Sequence, residues 1–213
     1  TMFKDNPNMI VKHHIDSYNQ FFSTGLREVF KNNSPLRFFK EYDKDVDDYK
    51  LECELYFGGI NTDKIYYGKP IIYDENDGEK REHYMYPNEA RLRNMTYGFT
   101  IHYDIDVKFK ILIDKEDGSS KKNKFRVLEH TETLEKIYLG RFPIMLQSNL
   151  CLLNSLNREA RFNMGECKND KGGYFIIDGK EKCIVSQEKF ADNMLYIKDK
   201  VNEIYSHSAD IRS

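Results

Sequence analysis

The sequence predicts an α+β fold: an amphipathic N-terminal helix packed on a mixed, mainly antiparallel sheet built from hairpins. Three observations carry this. Val11, Ile15, Tyr18, Phe22, Leu26, Val29 and Phe30 recur at the 3.6-residue period that lines one face of a helix. Phe99, Ile101, Tyr103, Ile105, Val107, Phe109, Ile111 and Ile113 alternate with polar residues, the period of a strand with one covered face. Asp178-Gly179 lies between the apolar runs Tyr174–Ile177 and Cys183–Val185, and Asp-Gly accepts the positive φ angles that a two-residue hairpin turn requires.

Taken in order, Asn6 caps the first helix and Pro7 occupies its first turn. Asn32-Asn33-Ser34-Pro35 ends it. Lys12, Asp16 and Asn19 fall on the face away from the apolar stripe. Tyr49–Phe57 alternates as a half-buried strand and breaks at Gly58-Gly59. Ile65–Ile72 reads as a weaker strand that ends near Asp77-Gly78, with the charged residues 74–82 in an exposed loop. A short helix is expected over Pro87–Asn94. In the long strand after it, Thr100, His102, Asp104, Asp106, Lys108 and Lys110 form the solvated face. Asp117–Lys122 makes a solvated hairpin loop, and the chain returns through Phe125 and Val127 to Leu139. Pro143–Leu153 is a continuous apolar run, a buried turn leading into a helix. Gly172-Gly173 introduces the Asp178-Gly179 hairpin, and a last strand covers Met194–Ile197. No internal repeat or low-complexity tract interrupts the pattern.

With 39% hydrophobic and 32% charged residues, the chain has the composition of a globular domain. Its 15 Tyr and 14 Phe favour sheet. Its 33 basic and 35 acidic residues give a net charge of −2. Free nucleic-acid binders carry a basic excess, because phosphate neutralisation supplies much of their affinity. Any nucleic-acid role here therefore rests on a local patch or on a larger assembly. The four cysteines are scattered without a C-x-x-C pair, and His13 and His14 are adjacent on the helix; this is not zinc-ligand spacing. Reduced cysteines in an intracellular protein fit better. No signal peptide and no apolar stretch of membrane-spanning length is present.

Catalytic motifs are missing from the sequence. There is no G-x-x-x-x-G-K-[ST] loop, no G-x-S-x-G elbow and no H-E-x-x-H, and Gly172-Gly173 precedes a strand instead of opening a helix. Asp104 and Asp106, two residues apart on a strand, are a carboxylate pair that could hold Mg²⁺. Beside Lys108 and Lys110 they read instead as a solvated strand face. The residues alone define a soluble domain with no catalytic residue and no metal site.

Four stretches add a resemblance. His13–Phe21 resembles the opening helix of the second-largest subunits of multisubunit DNA-directed RNA polymerases. Tyr86–Tyr97, which contains Glu89, Arg91 and Arg93, is similar to that family's P-x-E-A-R-L-R-N-x-T-Y. Gly140–Ser148, with Pro143, resembles its G-x-x-P-I-M-L-x-S. Gly172-Gly173 through Gly179 to Lys182, followed by Gln187-Glu188, resembles its G-G-Y-F-I-I-x-G-x-E-K…Q-E. The four occur in the family's order and span most of the chain.

The resemblance implies the first segment of the protrusion, on one wall of the DNA cleft. On this reading residues 1–213 are an incomplete protrusion domain: 1–35 the N-terminal helix, 49–139 the sheet-rich part, and 140–213 the part leading to the lobe. The resemblance places Lys182, and with it Lys180, toward nucleic acid, while Glu89, Arg91, Arg93, Pro143, Gly172, Gly173 and Gly179 are structural. At least one of Arg91 and Arg93 is expected to bind Glu89 or backbone carbonyls, because one helical turn cannot aim both the same way. The implied partners are the largest subunit, the assembly platform, the DNA template and the RNA–DNA hybrid, with no membrane. The segment itself carries no cofactor, and Mg²⁺ in the assembled enzyme is held mainly by the largest subunit. The Asp178–Lys182 hairpin and the Asn/Lys-rich composition lean toward a large cytoplasmic DNA virus, hence virion and host cytoplasm; a cellular source implies the nucleus. The alternative is a free-standing nucleic-acid or protein interaction module derived from the protrusion.

Overall fold

The computed structural model describes residues 8–44, 48–76, 79–114, 125–189, 191–199 and 203–213. The expected helix start at Asn6-Pro7, the Asp77-Gly78 turn and the Asp117–Lys122 loop lie outside them. The N-terminal helix forms as α1 (Met9–Gln20), a π-helical turn (Phe21–Gly25) and α2 (Leu26–Asn32). Tyr18, Phe22, Leu26 and Phe30 contact the core at steps of four residues. Four residues of a regular helix overshoot one turn by about 40°. The wider π turn absorbs the overshoot and keeps all four side chains on the core. Val29, expected in the stripe, is rotated into solvent and is 46% exposed. Lys12 and Asp16 are exposed as expected. Asn19 is half-buried, because its Oδ1 accepts the Asn149 N–H at 2.9 Å.

The main sheet contains β1 (Leu36–Asp43), β2 (Asp48–Phe57), β3 (Ile65–Tyr67), and the long strands β6 (Gly98–Asp114) and β7 (Phe125–Pro143). All its pairings are antiparallel. β7 runs along one edge of β6; β2 and β3 share the other edge end to end, and β1 extends the sheet beyond β2. β1 has no clear alternation. Its Leu36, Phe38, Phe39 and Tyr42 are all exposed, so its sequence does not announce a strand.

The expected strand over Ile65–Ile72 is two strands in two sheets. Gly68-Lys69-Pro70 separates β3 from β4 (Ile71–Asn76), which pairs with β5 (Glu79–Tyr84). The charged stretch read as a loop is thus largely a two-stranded ribbon. Such a ribbon meets solvent broadly, so its charges do not prevent pairing.

β7 carries two register shifts against β6. Tyr103 pairs with Ile137 and Ile105 with Leu134, so one extra β7 residue is accommodated there. His102 pairs with Tyr138 and Ile101 with Gly140, which leaves Leu139 as a second extra residue. After β7 the apolar run is buried as expected, but it forms successive turns instead of entering a helix. Ser148 N–H donates to the Met145 carbonyl, Cys151 to Ser148 and Asn154 to Cys151. The helix α4 (Arg158–Asn163) comes later, capped by Asn157 Oδ1, which accepts the Ala160 N–H at 2.7 Å. Tyr97, Phe99, Ile101, Ile144, Leu146, Cys151, Leu153 and Ile176 meet Leu26 and Phe30 in the core.

The compact unit runs through Cys183, and Ile184–Ser213 form a second unit. Within the second, β10 (Leu195–Asp199) pairs with β11 (His207–Ile211), and β10 corresponds to the expected last strand. Among the described residues no helix is long and apolar enough to cross a membrane.

Candidate nucleic-acid interface

β8 (Phe175–Ile177) and β9 (Lys180–Lys182) form the hairpin expected around Asp178-Gly179. Both turn residues have positive φ, 51° and 73°, as a type I′ turn needs. The two-residue turn pairs Ile177 with Lys180, so the return strand begins directly after Gly179. The expected strand at Cys183–Val185 does not form; Ile184 and Val185 are exposed beyond β9. A Cβ on Gly179 would stand 2.8 Å from Asn94 Cα, so this turn packs directly on the segment that follows α3 (Pro87–Leu92). Its N–H donates to the Met95 carbonyl at 3.0 Å, and Asp178 N–H donates to Thr96 Oγ1 at 3.1 Å. The hairpin tip is therefore held from outside as well as by its own ladder.

In an antiparallel ladder, opposite residues share a face. Glu181 lies opposite buried Ile176, and its exposed side chain reaches along that face, where Oε1 accepts Arg91 Nε–H at 2.9 Å. Lys180 and Lys182 lie on the other face, opposite Ile177 and Phe175, and both are exposed. Neither lysine side chain forms an ion pair or hydrogen bond among the described residues.

Arg91 is saturated. Its Nη1 donates to both oxygens of Glu166 at 2.9 and 3.0 Å, and its Nη2 donates to the Tyr174 hydroxyl at 2.8 Å. Tyr174 in turn donates to Asp170 Oδ2 at 2.7 Å. Burial alone would favour loss of the Arg91 proton, but Glu166 and Tyr174 overturn this and hold its pKa above the ordinary value. One side chain thus ties α3, the hairpin and the segment after α4 together. A cleft of about 450 Å³ opens beside it, lined by Asn88, Cys167 and Asp170 among others.

Arg93 points elsewhere, donating to Asp74 at 2.6 Å and to Glu89 at 3.0 Å, and so fastens β4 to α3. Glu89 also contacts His83 Nε2 at 3.0 Å. Of the two arginines, at least one of them expected to bind Glu89 or backbone carbonyls, Arg93 meets Glu89, while Arg91 points to Glu166 and Glu181. Pro143 ends β7, where its carbonyl accepts the Tyr18 hydroxyl at 2.8 Å. Gly172 N–H donates to Asp170 Oδ1 at 2.9 Å. Gly173 sits at φ 79° with α1 against it: a Cβ there would meet Val11 Cβ at 2.8 Å.

The solvated face expected at Asp104 and Asp106 is overturned, since both are buried, 6% and 4% exposed. Asp106 accepts from Lys64 Nζ at 2.8 Å, Thr133 Oγ1 at 2.8 Å and Ile60 N–H at 3.1 Å. Asp104 accepts from the Tyr66 hydroxyl at 2.9 Å and from Lys136 N–H at 2.8 Å. The physical cause is tertiary. The β2–β3 connection folds over this face, and the β7 bulge presents the Lys136 N–H, which needs an acceptor. Burial pushes the Asp106 carboxyl up, but Lys64, Thr133 and Ile60 outweigh it and hold the pKa below the usual carboxylate value. Carboxylates committed to these donors do not fit Mg²⁺, which needs oxygen ligands in a near-ideal octahedron. Among the described residues no group of three or more His, Cys, Asp or Glu could hold a metal ion.

The described residues form a helix-backed antiparallel sheet with a braced β8–β9 hairpin that exposes Lys180 and Lys182. A family model described as RNA polymerase beta subunit matches residues 9–207. The chain is 36% identical over 210 residues to DNA-directed RNA polymerase II subunit RPB2 of Eremothecium gossypii, covering 96% of this chain and 16% of that protein. Against DNA-directed RNA polymerase subunit Rpo2N of Methanothermobacter thermautotrophicus the identity is 35% over 189 residues, 89% of this chain and 30% of that one. Against DNA-directed RNA polymerase III subunit RPC2 of Saccharomyces cerevisiae it is 30% over 190 residues, 89% and 13%. The chain belongs to the RNA polymerase beta subunit family and corresponds to the N-terminal part of the second-largest subunit. It spans less than a third of each of these relatives.

Proposed function

We propose that the chain serves in a DNA-directed RNA polymerase as part of one wall of the DNA cleft, positioning nucleic acid during RNA synthesis. The observation that carries this reading is the β8–β9 hairpin. Glu181 pairs with Arg91 on one face of β9, and the braced hairpin presents Lys180 and Lys182 on the other. Fixed lysines on a slightly acidic chain form a local anion site that suits the phosphates of the template or the RNA–DNA hybrid. Catalysis belongs to the assembled enzyme, with Mg²⁺ held mainly by the largest subunit; this segment contributes no catalytic residue. Its partners are the largest subunit and the assembly platform. The relatives named above are cellular, which supports a nuclear enzyme in a eukaryote; the viral reading rests on composition and the sequence of the Asp178–Lys182 hairpin.

The test is Lys182→Ala in the assembled polymerase. A phosphate contact positions without reading sequence, so affinity should fall about equally on all templates. The salt dependence of binding should become shallower by about one counterion. Unchanged affinity and slope would make Lys182 an ordinary surface lysine.

A further inference from the structure

We propose that Arg141 is a third phosphate-binding cation, set beside the Asp178-Gly179 turn so that Arg141, Lys180 and Lys182 engage one nucleic-acid backbone together. This rests on the hairpin reading above and extends it to a residue of another strand.

The bulge at Leu139 sets the direction of Arg141. Beyond it Gly140 pairs with Ile101, Arg141 with Thr100 and Phe142 with Phe99. Without the extra residue, Arg141 would fall opposite Phe99 on the core face and Phe142 would be expelled from it. The bulge sends Phe142 into the core, 6.1 Å from the Phe22 ring, and turns Arg141 outward, where it is exposed. Re-aiming a side chain is a recurrent use of bulges.

The second step is the anchor. Arg141 Nη2 donates to the Thr96 carbonyl at 3.1 Å. The hydroxyl of the same Thr96 contacts Asp178 Oδ1 at 3.2 Å and accepts Asp178 N–H at 3.1 Å. Thr96 thus joins Arg141 to the turn that carries the lysines. The Asp178 carboxylate, the one acid at the turn, is directed onto that hydroxyl and makes no ion pair with Arg141.

The third step is what remains unused. A guanidinium carries five N–H donors, and this is the only hydrogen bond of Arg141 among the described residues. No carboxylate pairs with it. Arg91 and Arg93, by contrast, are committed to two acids each. An exposed guanidinium oriented by one carbonyl, with its remaining donors free, is suited to bidentate recognition of phosphate.

The test measures binding of the full chain to a fluorescein-labelled RNA–DNA hybrid by anisotropy across a salt series, alongside thermal unfolding. Expected are slopes of log affinity against log salt shallower by roughly 0.9 for Arg141→Gln and for Lys182→Gln, and by about twice that for the double variant. Arg141→Lys should retain the slope, since it keeps the charge. If Lys182→Gln flattens the slope and Arg141→Gln does not, the role of Arg141 is wrong while the hairpin reading stands. Equal losses in Arg141→Lys and Arg141→Gln would mean that Arg141 only braces Thr96, which also overturns it. An unchanged slope in Lys182→Gln, or no binding by the unaltered chain at low salt, overturns the hairpin reading and this inference with it.

Discussion

Replacing Arg91 by methionine keeps much of the side-chain volume and removes the cation that pairs with Glu166. The Glu166 side chain is 3% exposed and that of Arg91 20%, so the remaining carboxylate has little access to water. Breaking a buried pair by removing one partner costs about 3–5 kcal/mol. Loss of the bond to the Tyr174 hydroxyl adds about 1 kcal/mol. The Glu181 contact adds little, because that side chain is 57% exposed and its pairing is screened by solvent. The expected total, about 4–6 kcal/mol, is a large share of the roughly 5–15 kcal/mol that holds a typical domain together. Urea unfolding of the full chain at pH 7 measures it from the shift in midpoint at constant slope. Two further variants separate charge from shape. Arg91→Lys keeps a cation near Glu166 but not the three-way geometry, and should lose about 1–3 kcal/mol. Arg91→Met combined with Glu166→Met removes the stranded charge and should recover most of the loss, since apolar replacement of both partners is often close to neutral. A loss under about 1 kcal/mol in Arg91→Met, or no recovery in the double variant, would refute the account of Arg91 as the tie between helix, hairpin and the segment after α4.

Asp106 supplies a pH test. Its folded pKa is depressed below the unfolded value of roughly 3.9, so its contribution is present above that pH and lost as pH falls through the folded value. The stability gap between the unaltered chain and Asp106→Asn, measured by urea unfolding, should therefore be widest near neutrality and shrink below about pH 4. A gap constant from neutral to acid pH would show that the charge on Asp106 contributes nothing. The helix supplies a packing test by the same assay. Leu26→Ala should cost about 2–5 kcal/mol and Val29→Ala less than about 0.5 kcal/mol, because only Leu26 lies on the core after the π turn. Similar losses for the two would contradict the phase shift.

The sequence by itself determined the backbone states and most of the faces of the regularly patterned elements. A helical period marks α1 and α2, strict alternation marks β6, and Asp178-Gly179 marks a two-residue turn, because each of these signals is local. The four family-like stretches likewise identified the chain, since they are read residue by residue. Tertiary structure alone decided what the polar side chains do. Arg91 meets Glu166 75 residues away and Glu181 90 residues away, and no periodicity encodes a partner at that separation. Asp104 and Asp106 have the alternation of a wet strand face, yet a connection folding back over them makes that face interior. The direction of Arg141 hangs on one extra residue in β7, and that of Val29 on one widened helical turn. Both are shifts of phase within a regular element. They arise where packing against the core is worth more than unbroken regularity, and that balance exists only once distant parts of the chain are brought together.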